Sequence, residues 1–134
     1  MKKFKLHSRL SHDLLFITSL KLSDVFLMPD SDNPWVVLVP RVADITELHL
    51  LSIEDQQNLL VEINVLSQVL SDEFKPDKLN IATLGNMVPQ LHIHIICRFI
   101  NDKAWPGAIF ASQKGDDKKL ISEFIAVINR SLVK

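Results

Sequence analysis

Apolar residues recur along much of the chain at helical spacing, and they predict three helices. Positions three or four residues apart are apolar over about 8–19 and again, as a longer stripe, over about 53–72. Ser52 precedes the longer stripe, with an acidic residue three positions further on, which is typical of a helix N-cap. A last apolar stripe follows Asp116 and Asp117, either of which is suited to cap a C-terminal helix.

Runs of apolar residues between these stripes predict strands. The run from Trp35 to Val39 is apolar throughout, which predicts burial on both faces, and Pro40 ends it. Polar and apolar residues mixed over 44–51 predict a loop or a short helix. The predicted strands cover residues 24–28, 35–39, 78–83 and 91–99. The order of helix, two strands, long helix, two strands and helix predicts an α+β fold with a mostly antiparallel sheet.

Composition and charge are those of an ordinary globular protein, and they narrow the possible functions. The 134 residues carry a formal net charge of -1, and we expect one domain over residues 1–134. The scattered lysines and arginines form no basic stripe, which argues against polymeric nucleic acid as a partner. No apolar run suits a signal peptide or a membrane span, and the single cysteine, Cys97, cannot form an internal disulfide. We therefore expect a cytoplasmic protein that does not bind membranes.

The most informative segment is the predicted strand that contains two histidines. Side chains alternate between the two faces of a strand, so Gln90, His92 and His94 share one face. The apolar residues between them form the opposite face, which we expect to pack on the core. Gly85 lies in a turn just upstream, where backbone amides are suited to hold a phosphate. The pattern therefore places two imidazoles and an amide in a row beside a glycine-containing turn.

The residues alone leave three interpretations of this face. The histidines can lie on the solvent-exposed face of an antiparallel strand, which often carries polar residues. They can supply two ligands to a metal, although zinc needs at least three protein ligands, and Cys97 lies on the other face. In the third interpretation one of them is a nucleophile, because a neutral imidazole can attack phosphorus while a second one contacts a phosphate oxygen or the leaving group.

The segment resembles the signature of the histidine-triad family, in which three histidines alternate with hydrophobic residues and two further hydrophobic residues follow. Residues 90–96 match this signature at every position except the first histidine, which is Gln90 here. The family's glycine-x-serine/threonine-valine lead-in corresponds to residues 85–88, with Met87 in place of the hydroxyl residue. Trp35 begins a strand similar to the one before the family's long helix, at a position where a histidine is usual.

This resemblance covers about residues 6–110 and implies a HIT-like fold. That fold is a mostly antiparallel five-stranded sheet with two main helices, here followed by a C-terminal helix. The family also implies a homodimer whose two sheets join into one of ten strands. The sequence pattern indicates only four strands in this chain, so a fifth, short strand is expected before Asp24 or around Ile100.

The resemblance also implies a mechanism. By motif position, His92 attacks the α-phosphorus of a nucleotide and forms a nucleotidyl-histidine intermediate, from which water or another acceptor releases the nucleoside monophosphate. His94 contacts a phosphate oxygen or the leaving group, and Gln90 orients its neighbours, because an amide cannot carry a proton. The implied substrate is a purine nucleotide or dinucleotide with a phosphoanhydride or phosphoramidate bond, and neither a cofactor nor a metal is implied.

Nucleotide-binding residues are implied around the motif in the same way. Asp30 is the candidate for the ribose hydroxyls, and Asn80 is a candidate for the phosphate. For both, an ordinary role as a polar turn or strand-edge residue is equally consistent with the sequence. The phosphate turn adds Gly85, Asn86 and Met87 as candidates.

The departures from the family pattern leave a second function open. Gln90, Met87 and Trp35 each replace a residue type that the family uses near the phosphate. A nucleotide-binding module with little turnover is therefore the alternative to a hydrolase. Two residues that follow the motif have simpler interpretations: Arg98 as an ordinary strand-end charge and Trp105 as a packing anchor.

Overall fold

The computed structural model describes residues 2–29, 31–109 and 118–132. Its helices are α1 (Ser8–Asp13), α2 (Ile53–Phe74) and α3 (Lys118–Leu132), with one 3-10 turn at Leu48–Leu50. Its strands are β1 (Leu15–Ser19), β2 (Ser23–Leu27), β3 (Trp35–Pro40), β4 (Lys78–Ala82) and β5 (Ile93–Arg98). The α+β class is confirmed, and Asp116 and Asp117, the predicted capping residues of the last helix, lie outside the described ranges.

Five strands within the described part of the chain form one antiparallel sheet in the order β1-β2-β3-β5-β4. One face packs on α2 and α3, where Leu66 and Phe124 join the main core with Ile95 of β5. The opposite face carries a second apolar cluster, in which Leu10 of α1 meets Trp35 of β3. Strand β5 therefore contributes to both faces and is flanked by β3 and β4.

The long helix α2 follows the sequence prediction closely. The Ser52 hydroxyl accepts a hydrogen bond from the backbone N–H of Asp55 at 3.1 Å, which confirms the predicted N-cap. The helix ends at Phe74, its C-cap Lys75 has a left-handed backbone (φ 48°), and Pro76 follows. No helix among the described residues has both the length and the apolar character that a membrane crossing requires.

The predicted first helix over 8–19 is wrong in its second half. The helix ends at Asp13, and Leu15–Ser19 forms the edge strand β1, paired with β2. This is the short strand that was expected before Asp24. Its register shifts between Phe16 and Thr18, and such an irregularity breaks the two-residue alternation by which a strand is recognised in a sequence.

Arg98 is a buried side chain rather than an ordinary strand-end charge, and only 2% of it is exposed. Its Nε pairs with Oδ2 of Asp102 at 2.8 Å, and its Nη atoms donate to the side-chain oxygen of Asn80 and to the carbonyl of Gly107. The guanidinium also lies 5.7 Å from the centre of the Trp105 ring. These contacts hold the segment after β5 against the sheet, and Trp105 packs on the guanidinium.

Candidate active site

The two motif histidines lie at the start of β5, on the face of the sheet opposite α2. His92 directly precedes the strand, and His94 pairs with Val37 of β3. The side chains are buried, with 7% and 6% exposed, and their ring centres are 4.9 Å apart at an angle of 74°. The interpretation that they decorate a solvent-exposed strand face is therefore wrong, and both rings are held in fixed orientations.

A backbone hydrogen bond fixes which nitrogen of His92 is able to act as a nucleophile. Nδ1 of His92 lies 2.7 Å from the carbonyl oxygen of Gln90. A carbonyl oxygen only accepts hydrogen bonds, so Nδ1 carries the proton in this contact. The lone pair of the neutral ring is then on Nε2, and this is the nitrogen that can attack phosphorus.

The neighbouring ring is held in the opposite tautomer by Trp35. The indole N–H donates to Nδ1 of His94 at 3.0 Å, with both side chains buried. Because an indole nitrogen only donates, Nδ1 of His94 is unprotonated and the neutral ring carries its proton on Nε2. The sequence indicated only that Trp35 replaces an imidazole, and it did not reveal this contact.

His94 stays uncharged over the whole physiological range. Burial, together with the charge of His92, lowers the pKa of His94 from 6.5 to about 3. His94 can therefore donate a hydrogen bond to an oxygen, whereas it is not a protonated general acid near pH 7.

The Gln90 side chain binds the N-terminal segment. Its Oε1 accepts from the backbone N–H of His7 at 2.8 Å, and its Nε2 donates to the carbonyl of Lys5 at 2.8 Å. The same residue thus orients His92 through its carbonyl and holds residues 5–7 through its amide. The two partners are more than eighty residues apart in the sequence, so no local pattern predicts this contact.

Two cavities adjoin His92. The first, of about 450 Å³, is mostly apolar, and we call it the apolar cavity. Its lining includes Leu10, Leu14, Met28, Trp35, Leu84, Met87 and both motif histidines. The second, of about 180 Å³, is the polar cavity, lined by Thr46, Glu47, Thr83, Gly85, Asn86, Pro89, Gln90, Leu91 and His92. An apolar volume beside a polar one suits a ligand with a flat apolar ring and a charged group.

The predicted phosphate turn lies between these cavities. A Cβ at Gly85 would come within 2.8 Å of the backbone oxygen of Val88, so the tight turn requires glycine here. Asn86 lines both cavities, and Met87 lines the apolar one with 82% of its side chain exposed. The structure therefore brings Gly85, Asn86 and Met87 together with His92, His94 and Gln90.

Other candidate residues lie elsewhere or outside the described ranges. Asp30 falls outside them. Asn80 accepts a hydrogen bond from Arg98 at 2.8 Å, and it lies away from the described lining of both cavities. Burial raises the pKa of the Cys97 thiol to about 12, so this residue is not a competing nucleophile. Within residues 2–29, 31–109 and 118–132, no three side chains of the metal-ligating types gather into a site.

Comparison with known proteins identifies the family. The HIT domain family model matches residues 11–101. The chain belongs to the histidine-triad (HIT) family. This membership connects it with nucleotide-related activity, and it agrees with the five-stranded antiparallel sheet of the structure.

Solved structures agree with this family assignment along nearly the whole chain. A histidine triad protein from Bradyrhizobium japonicum is 41% identical, with 97% of this chain and 98% of that chain covered and a TM-score of 0.92. One from Marinobacter aquaeolei is also 41% identical, with 98% of each chain covered and a TM-score of 0.92. Diadenosine triphosphate hydrolase from Plasmodium falciparum, at 19% identity, shares the fold, with a TM-score of 0.66 over 100% of this chain and 87% of that one. No curated protein matches the sequence significantly.

Proposed function

We propose that this HIT protein hydrolyses a nucleotide at its α-phosphorus through a covalent nucleotidyl-histidine intermediate on His92. The observation that carries the proposal is the 2.7 Å contact between Nδ1 of His92 and the carbonyl of Gln90. That contact leaves Nε2 with a lone pair in a buried, fixed ring beside the two cavities. A neutral imidazole held in this way is an activated nucleophile that needs no deprotonation.

The reaction proceeds by two displacements. The Nε2 lone pair of His92 forms a bond to the α-phosphorus while the bond from phosphorus to the leaving group breaks, and the leaving group takes that electron pair. Water then attacks the same phosphorus, the phosphorus–nitrogen bond breaks, and its electron pair returns to Nε2. The attacking water releases a proton to solvent, and the nucleoside monophosphate departs.

The remaining site residues have positioning and binding roles in this proposal. His94 donates its Nε2–H to a phosphate oxygen, and the Trp35 indole keeps it in the tautomer that does so. Gln90 is a positioning residue that orients His92 through its carbonyl. Backbone amides near Gly85 and Asn86 bind the phosphate, while the apolar cavity with Met87 accepts a purine base. The ribose contact of Asp30 and the phosphate contact of Asn80 remain predictions.

One observation favours the alternative function, a nucleotide-binding module with little turnover. Gln90 cannot carry a proton, and His94 with its pKa of about 3 is neutral, so neither neighbour of His92 protonates a leaving group near pH 7. Binding without chemistry would then be the residual function of the two cavities.

The two functions are separated by trapping the intermediate. The protein is mixed with radiolabelled ATP, quenched in base on the millisecond timescale, and digested for peptide mass mapping. We expect an adenylyl group on His92 and none on His94. Nucleotide binding without any adduct or AMP release would support the binding module, and an adduct on His94 would contradict the assignment of the nucleophile.

We predict that chelators leave turnover unchanged. The motif supplies two histidines, and the described residues add no third ligand beside them. Turnover is measured before and after dialysis against EDTA, and metal content is measured by elemental analysis. A stoichiometric metal ion that is lost together with activity would contradict the prediction.

We also predict a homodimer, with exposed apolar residues of α2 and of the edge strand β4 at its interface. Leu60, Val61 and Val65 of α2 are 58%, 61% and 45% exposed, and Ile81 of β4 is 50% exposed. Exposed apolar residues on a helix and on an open sheet edge are typical of a protein interface. We expect sedimentation equilibrium to give the mass of two chains, and Val61→Asp to give the mass of one. Ser11→Asp, at an exposed position of α1, is the matched control.

A further inference from the structure

The N-terminal segment forms one wall of a third cavity, which we call the basic cleft. The cleft has a volume of about 480 Å³, and it is lined by Lys2, Lys3, Lys5, His7, Ala43, Asp44, Ile45, Thr46, Pro89 and Gln90. Its position depends on Gln90, whose side chain binds the backbone of Lys5 and His7. These two hydrogen bonds hold the backbone of residues 5–7 in the wall of the cleft.

The basic cleft adjoins the active site. It shares Thr46, Pro89 and Gln90 with the polar cavity, and His92 is one of the residues that line the polar cavity. The apolar cavity also borders His92 and shares Asn86 with the polar cavity. The three cavities thus follow one another, with the nucleophile between the apolar cavity and the two polar ones.

Positive charge is in excess along this path. Lys2 pairs with Asp44 at 3.0 Å, and Glu47 adds a second carboxylate in the polar cavity. Among the described residues, Lys3 and Lys5 have no carboxylate within ion-pair distance. Three lysines therefore face two carboxylates, and two of the lysines remain available to an anion.

We propose that the basic cleft binds the leaving group of the reaction and that this group is a phosphate chain, so that the substrate is a nucleoside polyphosphate. The inference rests on the proposed hydrolase function and adds to it the substrate class. With the base in the apolar cavity and the α-phosphorus at His92, a chain of phosphates extends through the polar cavity and reaches Lys3 and Lys5.

The arrangement of the two histidines favours the same leaving group. An amine that leaves from a phosphoramidate has to take up a proton, while a phosphate or pyrophosphate leaves as an oxyanion and needs none. The Trp35 contact keeps His94 in the neutral form, as a hydrogen-bond donor. In the first displacement, Nε2 of His92 bonds to the α-phosphorus, the phosphorus–oxygen bond of the anhydride breaks, and the phosphate chain departs with that electron pair.

The charge of the cleft is tested first by binding, which needs no turnover. Dissociation constants of AMP and of α,β-methylene-ATP, whose bridging carbon prevents cleavage, are measured by calorimetry without divalent ions. We expect the wild type to bind the methylene analogue more tightly than AMP. Lys3→Gln and Lys5→Gln should each weaken binding of the methylene analogue by roughly 3-fold, and the double variant should weaken it by roughly 10-fold. The dissociation constant of AMP should not change. Lys21→Gln, an exposed lysine outside the cleft, is the matched control and should change neither constant.

The identity of the leaving group is tested by turnover at pH 7. ATP is compared with the phosphoramidate that links AMP to the amino group of aspartate, because its two carboxylates also place negative charge on the leaving group, which is here an amine. We expect ATP to be turned over at least about 10-fold faster. A phosphoramidate turned over as fast as ATP would overturn the polyphosphate assignment even if both lysine effects were observed.

The binding and turnover results distinguish the two proposals. Tighter binding of the methylene analogue that depends on Lys3 and Lys5, without turnover, would support the cleft and reject the hydrolase. Turnover with equal binding of AMP and the analogue, or an equal loss of both in the lysine variants, would reject the cleft and leave the hydrolase standing. A protein that binds neither compound would overturn both.

Discussion

His92→Ala is expected to lower kcat for a nucleoside polyphosphate by on the order of 10⁴-fold or more, because the variant has no atom that can form the covalent intermediate. The loss should appear in kcat and kcat/KM alike, since the Nε2 bond to phosphorus exists only after the Michaelis complex. The measurement is steady-state turnover, combined with the adduct assay on the same variant, in which no adenylyl peptide should form.

His94→Ala and His49→Ala provide the comparison for this result. His94 offers a hydrogen bond to a phosphate oxygen, so its removal should cost roughly 10²–10⁴-fold in kcat and leave the adduct on His92. His49 is an exposed histidine on the 3-10 turn, away from the described lining of the cavities, and its variant should keep full activity. Full turnover in folded His92→Ala would remove the nucleophile assignment altogether.

The adjacency of the two histidines could be predicted from the sequence, whereas their tautomers could not. Strand parity places His92 and His94 on one face, and the structure confirms that they are adjacent. Parity says nothing about the nitrogen that each ring presents. That choice depends on the Gln90 carbonyl and on Trp35, which lies on β3, the strand next to β5. Only the order of strands in the sheet brings Trp35 to His94, and a single sequence does not contain that order.

The elements that were predicted correctly are those in which the local pattern and the tertiary structure agree. The Ser52 cap, the apolar stripe of α2 and the buried run of β3 are all local signals. Strand β1 was missed because Leu14 and Ile17 also fit the helical spacing, and because its pairing with β2 supplies hydrogen bonds that no local pattern shows.

Long-range polar contacts, like strand pairing, could not be predicted from the sequence. Gln90 occupies the position of the first histidine in the family motif. Its side-chain amide is hydrogen-bonded to the backbone of Lys5 and His7, and the motif gives no sign of this contact. The sequence predicts an ordinary strand-end charge at Arg98, because an arginine at the end of a strand is ordinarily solvated. Its burial depends on Asp102, which lies in an irregular segment whose course no periodicity predicts.

Loss of Asp102 should strongly reduce stability. Only 7% of its side chain is exposed. Its carboxylate accepts hydrogen bonds from the Arg98 guanidinium and the Asn33 amide. It also accepts from three backbone N–H groups, those of Phe99, Ala104 and Trp105. Removing one partner of a buried ion pair leaves the other charge uncompensated, at a cost of about 3–5 kcal/mol. We therefore expect Asp102→Ala to lower the free energy of unfolding by about that amount, measured by urea denaturation. Asp32→Ala removes an exposed pair with Lys103 in the same region and should cost less than about 1 kcal/mol.

The pH dependence of stability shows how much of the Asp102 contribution comes from its charge and how much from its shape and hydrogen bonds. The hydrogen bond from Arg98, supported by those from Phe99 and Asn33 and opposed by burial, holds the pKa of the Asp102 carboxyl well below its ordinary value of about 4. Below pH 4 the unfolded chain therefore binds a proton that the folded protein does not, and stability falls as pH decreases. We expect the stability difference between wild type and Asp102→Asn to be largest near pH 7 and to shrink progressively below about pH 5. A difference that stayed constant from pH 7 to pH 3 would mean that Asp102 stabilises the segment through its shape and hydrogen bonds alone, without a contribution from its charge.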